Sequence, residues 1–217
     1  MSNKMPRFNF WPIYSLFALA YLIALFFTLP VAVMAGLKVM PILLLLALLV
    51  HSPERPLWLW PAVIFSAAGD LLLALPIEQG FVFGLAAFLV AQLCYGFGFW
   101  RDRAPLSGQT KSRFLFVAGI SAALAAVILP ASGGLLIAVS LYLCAIAFMA
   151  LGAARYNTGN ATVFVGALLF VLSDSVIAIN KFLWPFSASS WVIMVTYYAA
   201  QGLMVTGVLR HCRRVTG

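Results

Sequence analysis

Two acidic residues, Asp70 and Asp174, lie inside long apolar stretches of this 217-residue chain. Because a carboxylate at bilayer depth costs on the order of 3 kcal/mol or more, such a residue is usually retained for a function. Two carboxyl groups in one site can share proton-transfer chemistry, with one acting as the acid and the other, ionised, stabilising a cation. The plain alternative is that each Asp only satisfies a hydrogen bond between helices. The presence of two, with Lys38 as an intramembrane partner, favours a site.

The composition indicates the elements that position these residues. Hydrophobic residues make up 65% of the chain and charged residues 8%, which is more apolar surface than a soluble domain of this size can bury. We therefore predict an all-α polytopic membrane protein with a single transmembrane domain over residues 1–217. The apolar runs predict eight transmembrane helices in one bundle, at 9–29, 31–50, 57–75, 80–100, 113–129, 134–152, 161–183 and 189–209.

The basic residues predict the orientation of the bundle. Of thirteen Lys and Arg residues, eleven fall on one side of the eight predicted helices, which the positive-inside rule assigns to the cytoplasm. They are Lys4, Arg7, Arg55, Arg101, Arg103, Lys111, Arg113, Arg155, Arg210, Arg213 and Arg214. Both termini are therefore expected in the cytoplasm, in the plasma membrane of a bacterium or an endoplasmic reticulum-type membrane of a eukaryote. The net charge of +8 reflects this topology and an attraction to anionic lipids, and it does not indicate nucleic-acid binding.

Several polar side chains share one depth in the predicted bundle, given a rise of about 1.5 Å per residue. They are Lys38, Asp70, Gln92, Asp174, Tyr197, Tyr198 and Gln201. Polar groups from different helices at one level predict a polar cavity that opens toward the non-cytoplasmic leaflet. For Lys38 the alternative is a side chain that extends to the membrane surface as an anchor. Lys181 lies near a helix end, where it is either interfacial or a contact for a lipid phosphate.

The other reactive residues argue against several classes of membrane protein. Cys94, Cys144 and Cys212 have neither a disulfide framework nor metal-ligand spacing. His51 and His211 both lie at cytoplasmic helix ends, which argues against a zinc hydrolase with intramembrane His ligands and against a Ser protease. No metal or cofactor is therefore expected. A proton-coupled transporter or channel stays open, because such proteins also use intramembrane Asp and Lys.

Four sequence motifs identify a family. They are Leu37-Lys-Val-Met-Pro41, Gly69-Asp-Leu-Leu-Leu73, residues 166–182 with Ser173-Asp174 and Asn180-Lys181-Phe182, and Thr196-Tyr-Tyr-Ala-Ala-Gln201. With these motifs the chain resembles the YhhN family of multi-pass membrane proteins, whose animal members include lysoplasmalogenases. The resemblance extends from the second predicted helix to the eighth.

The resemblance implies an integral membrane hydrolase. Lysoplasmalogenases cleave the vinyl ether bond of lysoplasmenylethanolamine or lysoplasmenylcholine to a fatty aldehyde and a glycerophospho-base. A proton must reach the alkenyl carbon, and a low-dielectric site favours the protonated carboxyl that can deliver it. Asp70 and Asp174 are the expected catalytic residues, and which of them is the acid stays open. The expected substrate-binding residues are Lys38, Gln92, Asn180, Lys181, Tyr197, Tyr198 and Gln201. The expected partners are the lysophospholipid substrate and membrane lipids, and the alternative function is a proton-coupled transporter or a lipid-binding protein.

Gln92 departs from the family pattern, which commonly has a His at this place, between Phe88 and Tyr95. If that His shuttles a proton, Gln92 cannot replace it, because an amide does not titrate. If the His only forms hydrogen bonds, Gln92 can serve in its place.

Overall fold

The computed structural model describes residues 10–53, 55–156 and 161–216, most of them in eight α-helices. The helices are α1 (Phe10–Ala24), α2 (Val31–His51), α3 (Leu59–Ala74), α4 (Gly80–Arg101), α5 (Gly108–Ile128), α6 (Leu136–Arg155), α7 (Thr162–Ala178) and α8 (Ser189–Thr216). A π-helical turn, Ile179–Leu183, continues α7. The described residues contain no strand, which confirms the predicted all-α class. The predicted cytoplasmic residues Lys4 and Arg7 and the start of the first predicted helix lie outside the described ranges.

Six of the described helices are long and apolar enough to cross a membrane, namely α2, α4, α5, α6, α7 and α8. Over the described residues, α1 and α3 have 15 and 16 residues, so at about 1.5 Å per residue each is shorter than a hydrocarbon core of about 30 Å. The predicted count of eight spanning helices is thereby corrected to six helices of spanning length. α3 ends at Ala74 because Leu75 is extended, as is favoured for a residue that precedes a proline.

Two helices, α5 and α8, extend about five or more residues beyond their predicted limits at polar ends. α5 begins at Gly108 instead of residue 113, because Ser107 and Thr110 form a capping box in which each side chain accepts a hydrogen bond from the other's backbone N–H. Such a box satisfies two backbone donors that the first helical turn leaves open. α8 continues to Thr216 instead of residue 209, and its last turn carries Arg213 and Arg214, where the helix dipole favours positive charge.

Seven helices enclose a common core. α1, α2, α3, α4, α6, α7 and α8 are neighbours in this order, and α8 returns to α1 and α2. The glycines of α4 allow close packing on both sides, since a Cβ at Gly84 would lie 2.7 Å from Leu73 of α3 and one at Gly96 would lie 2.4 Å from Phe148 of α6. α5 lies outside the ring against α6. The polar residues of α2, α3, α4, α7 and α8 therefore meet inside one bundle.

Candidate active site

Asp70 is held by groups from two other helices. Its side chain is buried on α3, and Nζ of Lys38 on α2 lies 3.7 Å from its Oδ1. The hydroxyl of Tyr197 on α8 donates a hydrogen bond of 2.8 Å to its Oδ2. A cation and a hydroxyl donor together stabilise a charged carboxylate in an apolar surrounding.

Lys38 belongs to the interior of the bundle. Its side chain is only 11% exposed, so it does not extend to the membrane surface as the anchor alternative required. The backbone carbonyl of Lys38 accepts a hydrogen bond of 2.8 Å from the Tyr198 hydroxyl. The backbone carbonyl of Tyr198 in turn accepts one of 2.7 Å from the Tyr14 hydroxyl. These bonds join α1, α2 and α8 at the level of Lys38.

Asp174 on α7 has neutral neighbours. Its Oδ2 accepts a hydrogen bond of 3.2 Å from Nε2 of Gln92 on α4, and another from the Tyr142 hydroxyl on α6. Within the described part of the chain, no hydrogen bond reaches Oδ1 and no basic side chain lies within ion-pair distance of Asp174. The two carboxyl groups therefore differ in the charge that surrounds them.

One cavity of about 300 Å³ connects the two carboxyl groups. Asp70, Asp174, Lys38 and Tyr197 all line it. Further lining residues come from the ends of helices near the α1–α2, α3–α4 and α7–α8 connections, among them Met34, Ala74, Phe81 and Ser190. The cavity thus lies at the end of the bundle opposite the basic α4–α5 connection. Of the seven side chains that the sequence places at one depth, Lys38, Asp70, Asp174 and Tyr197 converge there.

Gln201 and Gln92 lie behind the cavity wall. The Gln201 side chain is fully buried, donates to Ser66 Oγ at 2.8 Å and accepts from the Tyr95 hydroxyl at 2.7 Å. It supports Tyr197 from behind, with Nε2 3.5 Å from the Tyr197 hydroxyl. Gln92 is also fully buried, and its Oε1 has no hydrogen-bond partner among the described residues. Both amides therefore position other groups of the site.

The remaining predicted residues do not line the cavity. Tyr198 is buried and lines a separate groove between α1 and α8. Asn180 accepts a hydrogen bond of 3.0 Å from the backbone N–H of Phe186 and so ties the α7–α8 connection. Lys181 is exposed, and its Nζ lies 5.0 Å from the ring centre of Phe81, a cavity-lining residue. Lys181 therefore lies near the cavity without lining it.

Tyr142 is a site residue that the sequence analysis missed. It lies in the apolar run of α6, is buried, and bonds directly to Asp174. The available signal was its depth, because it lies about two turns into α6 from the end that carries the cavity. Among the described residues, no three His, Cys, Asp or Glu side chains gather as metal ligands.

Comparisons with known proteins agree with the sequence motifs. The YhhN family model matches residues 33–208, which include every residue placed at the cavity except Tyr21. A lysoplasmalogenase of Mycobacterium tuberculosis is 35% identical over 175 residues, covering 77% of this chain and 67% of that protein. Human lysoplasmalogenase TMEM86B is 36% identical over 182 residues, covering 81% of this chain and 75% of that protein.

A further relative is longer than the stretch it shares with this chain. Human lysoplasmalogenase TMEM86A is 34% identical over 151 residues, which span 65% of this chain and 61% of that protein. No solved structure matches the chain. Since the family model covers most of the bundle and includes both carboxyl groups, the chain belongs to the YhhN family.

Proposed function

We propose that this protein hydrolyses the vinyl ether bond of lysoplasmalogens, releasing a fatty aldehyde and a glycerophospho-base. The observation that carries the proposal is the pair of carboxyl groups on one cavity, Asp70 beside a cation and Asp174 beside neutral donors only. Two carboxyl groups whose surroundings differ in this way can take the opposite roles of acid and charged stabiliser. The lysoplasmalogenase names of the relatives agree with this chemistry.

Asp174 is the proton donor in this scheme. No described cation offsets a negative charge on it, so the protonated form suits its position. Its proton passes to the alkenyl carbon that is bonded to the hydrocarbon chain, and the double bond becomes an oxocarbenium ion. The ether oxygen and the neighbouring carbon share the resulting positive charge.

Asp70 is the ionised partner. Its negative charge, maintained by Lys38 and Tyr197, stabilises the oxocarbenium ion and orients a water molecule. Water adds to the carbon that carries oxygen and gives a proton to the Asp174 carboxylate, which restores the acid and leaves a hemiacetal. The hemiacetal loses its hydroxyl proton and breaks its bond to the glycerol oxygen, which takes up a proton. One water is consumed, and the site returns to its starting protonation.

Lys181 is the contact for the substrate phosphate. Lys38 is already paired with Asp70, whereas Lys181 is exposed next to Phe81 at the cavity.

In the proposed membrane orientation both termini lie in the cytoplasm, and the cavity opens toward the non-cytoplasmic leaflet. The eleven-to-two division of basic residues supports that orientation, in a bacterial plasma membrane or an endoplasmic reticulum-type membrane.

The test is to incubate the purified protein in detergent with lysoplasmenylethanolamine and to measure the aldehyde, with and without a chelator. Positioned proton transfer contributes roughly 10²–10⁴-fold, so Asp70→Asn and Asp174→Asn should each lower turnover by at least about 10²-fold. Asp102→Asn, an exposed carboxyl at the end of α4, is the matched control and should retain full activity. In D₂O the aldehyde should carry one deuterium at the carbon next to the carbonyl.

Three results would contradict the proposal. Full activity in either Asn variant removes that Asp from the mechanism, and loss of activity with chelator replaces the scheme with a metal-dependent one. A protein that cleaves no vinyl ether, also as Gln92→His, is not a lysoplasmalogenase. Proton or lipid flux in liposomes would then be the activity to measure.

A further inference from the structure

A second cavity adjoins the first and is almost entirely apolar. It lies between α4, α5, α6 and α7, and its walls include Leu85, Leu124, Leu143, Ile146 and Ile177. The space in it that is open to the centre of a water-sized sphere is about 50 Å³, against about 300 Å³ in the cavity that holds the carboxyl groups. A narrow space with branched apolar walls fits an unbranched hydrocarbon and excludes a glycerophosphate head.

Asp174 lies where the two cavities meet. It lines both of them, together with Leu73, Phe81, Phe88 and Ile177. Tyr142, which donates to Asp174, lines the apolar cavity only, and Lys38 and Asp70 line the polar cavity only. A carboxyl group at this junction can contact a molecule whose polar end and apolar end occupy different cavities.

We infer that the apolar cavity binds the alkenyl chain of the substrate and thereby fixes its direction. This inference rests on the proposed function. With the chain between α4 and α7 and the glycerophosphate in the polar cavity toward Lys181, the chain-side carbon of the vinyl ether lies next to Asp174. That carbon is the one that must receive the proton, so the shape of the cavities selects Asp174 as the donor independently of the charges around it.

Chain selection by this cavity is a matter of shape. Lipid tails and detergent are as apolar as the cavity walls, so transfer of a chain between them gains little from the hydrophobic effect. The width of the space between α4 and α7 therefore determines which chain lengths are cleaved efficiently. A substitution that narrows this space should disfavour long chains and leave short ones nearly unaffected.

Ala178→Phe is the direct test, since Ala178 lines the apolar cavity one turn after Asp174. Its matched control is Ala199→Phe, which alters the groove between α1 and α8 instead. With 1-alkenyl lysophosphoethanolamines of increasing chain length, kcat/KM of Ala178→Phe should fall at least tenfold for the 16- and 18-carbon chains while the 8-carbon substrate keeps near wild-type values. The control should keep the wild-type length profile. An unchanged profile in Ala178→Phe overturns the inference while the hydrolase function stands.

A second variant and a binding measurement cover the remaining outcomes. Leu124→Trp narrows the same cavity from α5, which lies outside the helix ring, and should give the same profile if Ala178→Phe does not fold. A saturated 1-O-hexadecyl lysophospholipid with a diazirine at the chain end reports binding without cleavage. Crosslinks to α5 or α6 support the inference even if no vinyl ether is cleaved. Crosslinks confined to the groove between α1 and α8 overturn it.

Discussion

The Tyr142 hydroxyl on α6 donates its hydrogen bond to Oδ2 of Asp174, the same oxygen that Gln92 contacts from α4. Two donors on one oxygen fix the orientation of the carboxyl group and leave Oδ1 without a hydrogen bond among the described residues. Tyr142 therefore acts as a positioning residue in the proposed mechanism, because it reaches the reacting atoms only through Asp174.

Tyr142→Phe should lower kcat about tenfold and leave KM nearly unchanged. Loss of one hydrogen bond costs about 1 to 1.5 kcal/mol, and about 1.4 kcal/mol corresponds to a factor of ten in rate. Tyr156→Phe is the matched control, since Tyr156 is also buried and its hydroxyl has no partner among the described residues. Steady-state kinetics on both variants gives the comparison. A rise in KM with kcat unchanged would assign Tyr142 to substrate binding.

Lys38→Met should destabilise the protein by about 3 kcal/mol, because it leaves Asp70 buried without its cation. The double variant Lys38→Met with Asp70→Asn should regain most of that stability, since no unpaired charge stays behind. Thermal unfolding in detergent measures both, with Lys181→Met at an exposed position as the control. Equal destabilisation in the single and double variants would mean that the pair has no energetic coupling.

Lys181→Gln should raise KM for lysoplasmenylethanolamine about fivefold with kcat unchanged, which corresponds to about 1 kcal/mol for one lysine near a lipid phosphate. Lys181→Arg should retain the wild-type KM. An alkenylglycerol that has no phosphate is the control substrate, and its KM should be the same in all three proteins. An equal rise in KM for the alkenylglycerol would move Lys181 out of the phosphate site.

Gln92→Leu should lower turnover about tenfold, because it removes a donor to Asp174 and leaves the amide's place apolar. Gln92→His should keep turnover within a few-fold of wild type, since an imidazole N–H can donate to the same oxygen. Kinetics of the three proteins separates the two roles of this position. A gain of about 10²-fold in Gln92→His would show that the chemistry needs a proton shuttle there.

Reporter fusions at Gln109 and Ser187 should give opposite membrane sides. Gln109 lies in the first turn of α5 beside the basic α4–α5 connection, and Ser187 lies between the π-helical turn and α8, at the cavity end. Cysteine labelling of intact cells at the same positions is an independent check. Labelling of both from one side would overturn the orientation and move the cavity to the other leaflet.

The sequence was sufficient to predict the helical class and the depth in the bundle at which Lys38, Asp70 and Asp174 lie. Apolar runs show where helices cross a membrane, and intramembrane Asp70, Asp174 and Lys38 stand out because their cost is high. Helix ends were less predictable, because α5 begins at a capping box made by Ser107 and Thr110 before the chain becomes apolar. The predicted limits of the short helices α1 and α3 were too wide, because apolar residues continue past the ends of these helices.

The pairing within the site could not be predicted. The depth of Tyr142 alone did not distinguish it, since a Tyr in an apolar run is also an ordinary packing residue, and its bond to Asp174 depends on how α6 and α7 face each other. The same holds for Gln201, which shares a depth with the carboxyl groups but bonds to Ser66 and Tyr95. The depth of a residue in the bundle follows from its position in the chain, whereas the direction in which its side chain points around the helix follows from packing.

The first helix also forms part of the cavity wall. Tyr21 of α1 lines it, and α1 is bound to α8 by Tyr14, yet this helix precedes the residues matched by the family model. The cavity wall therefore combines residues inside the matched stretch with one residue from a helix outside it. A substitution at Tyr21 would reshape the entrance side of the cavity without touching the residues that bond to Asp70 or Asp174.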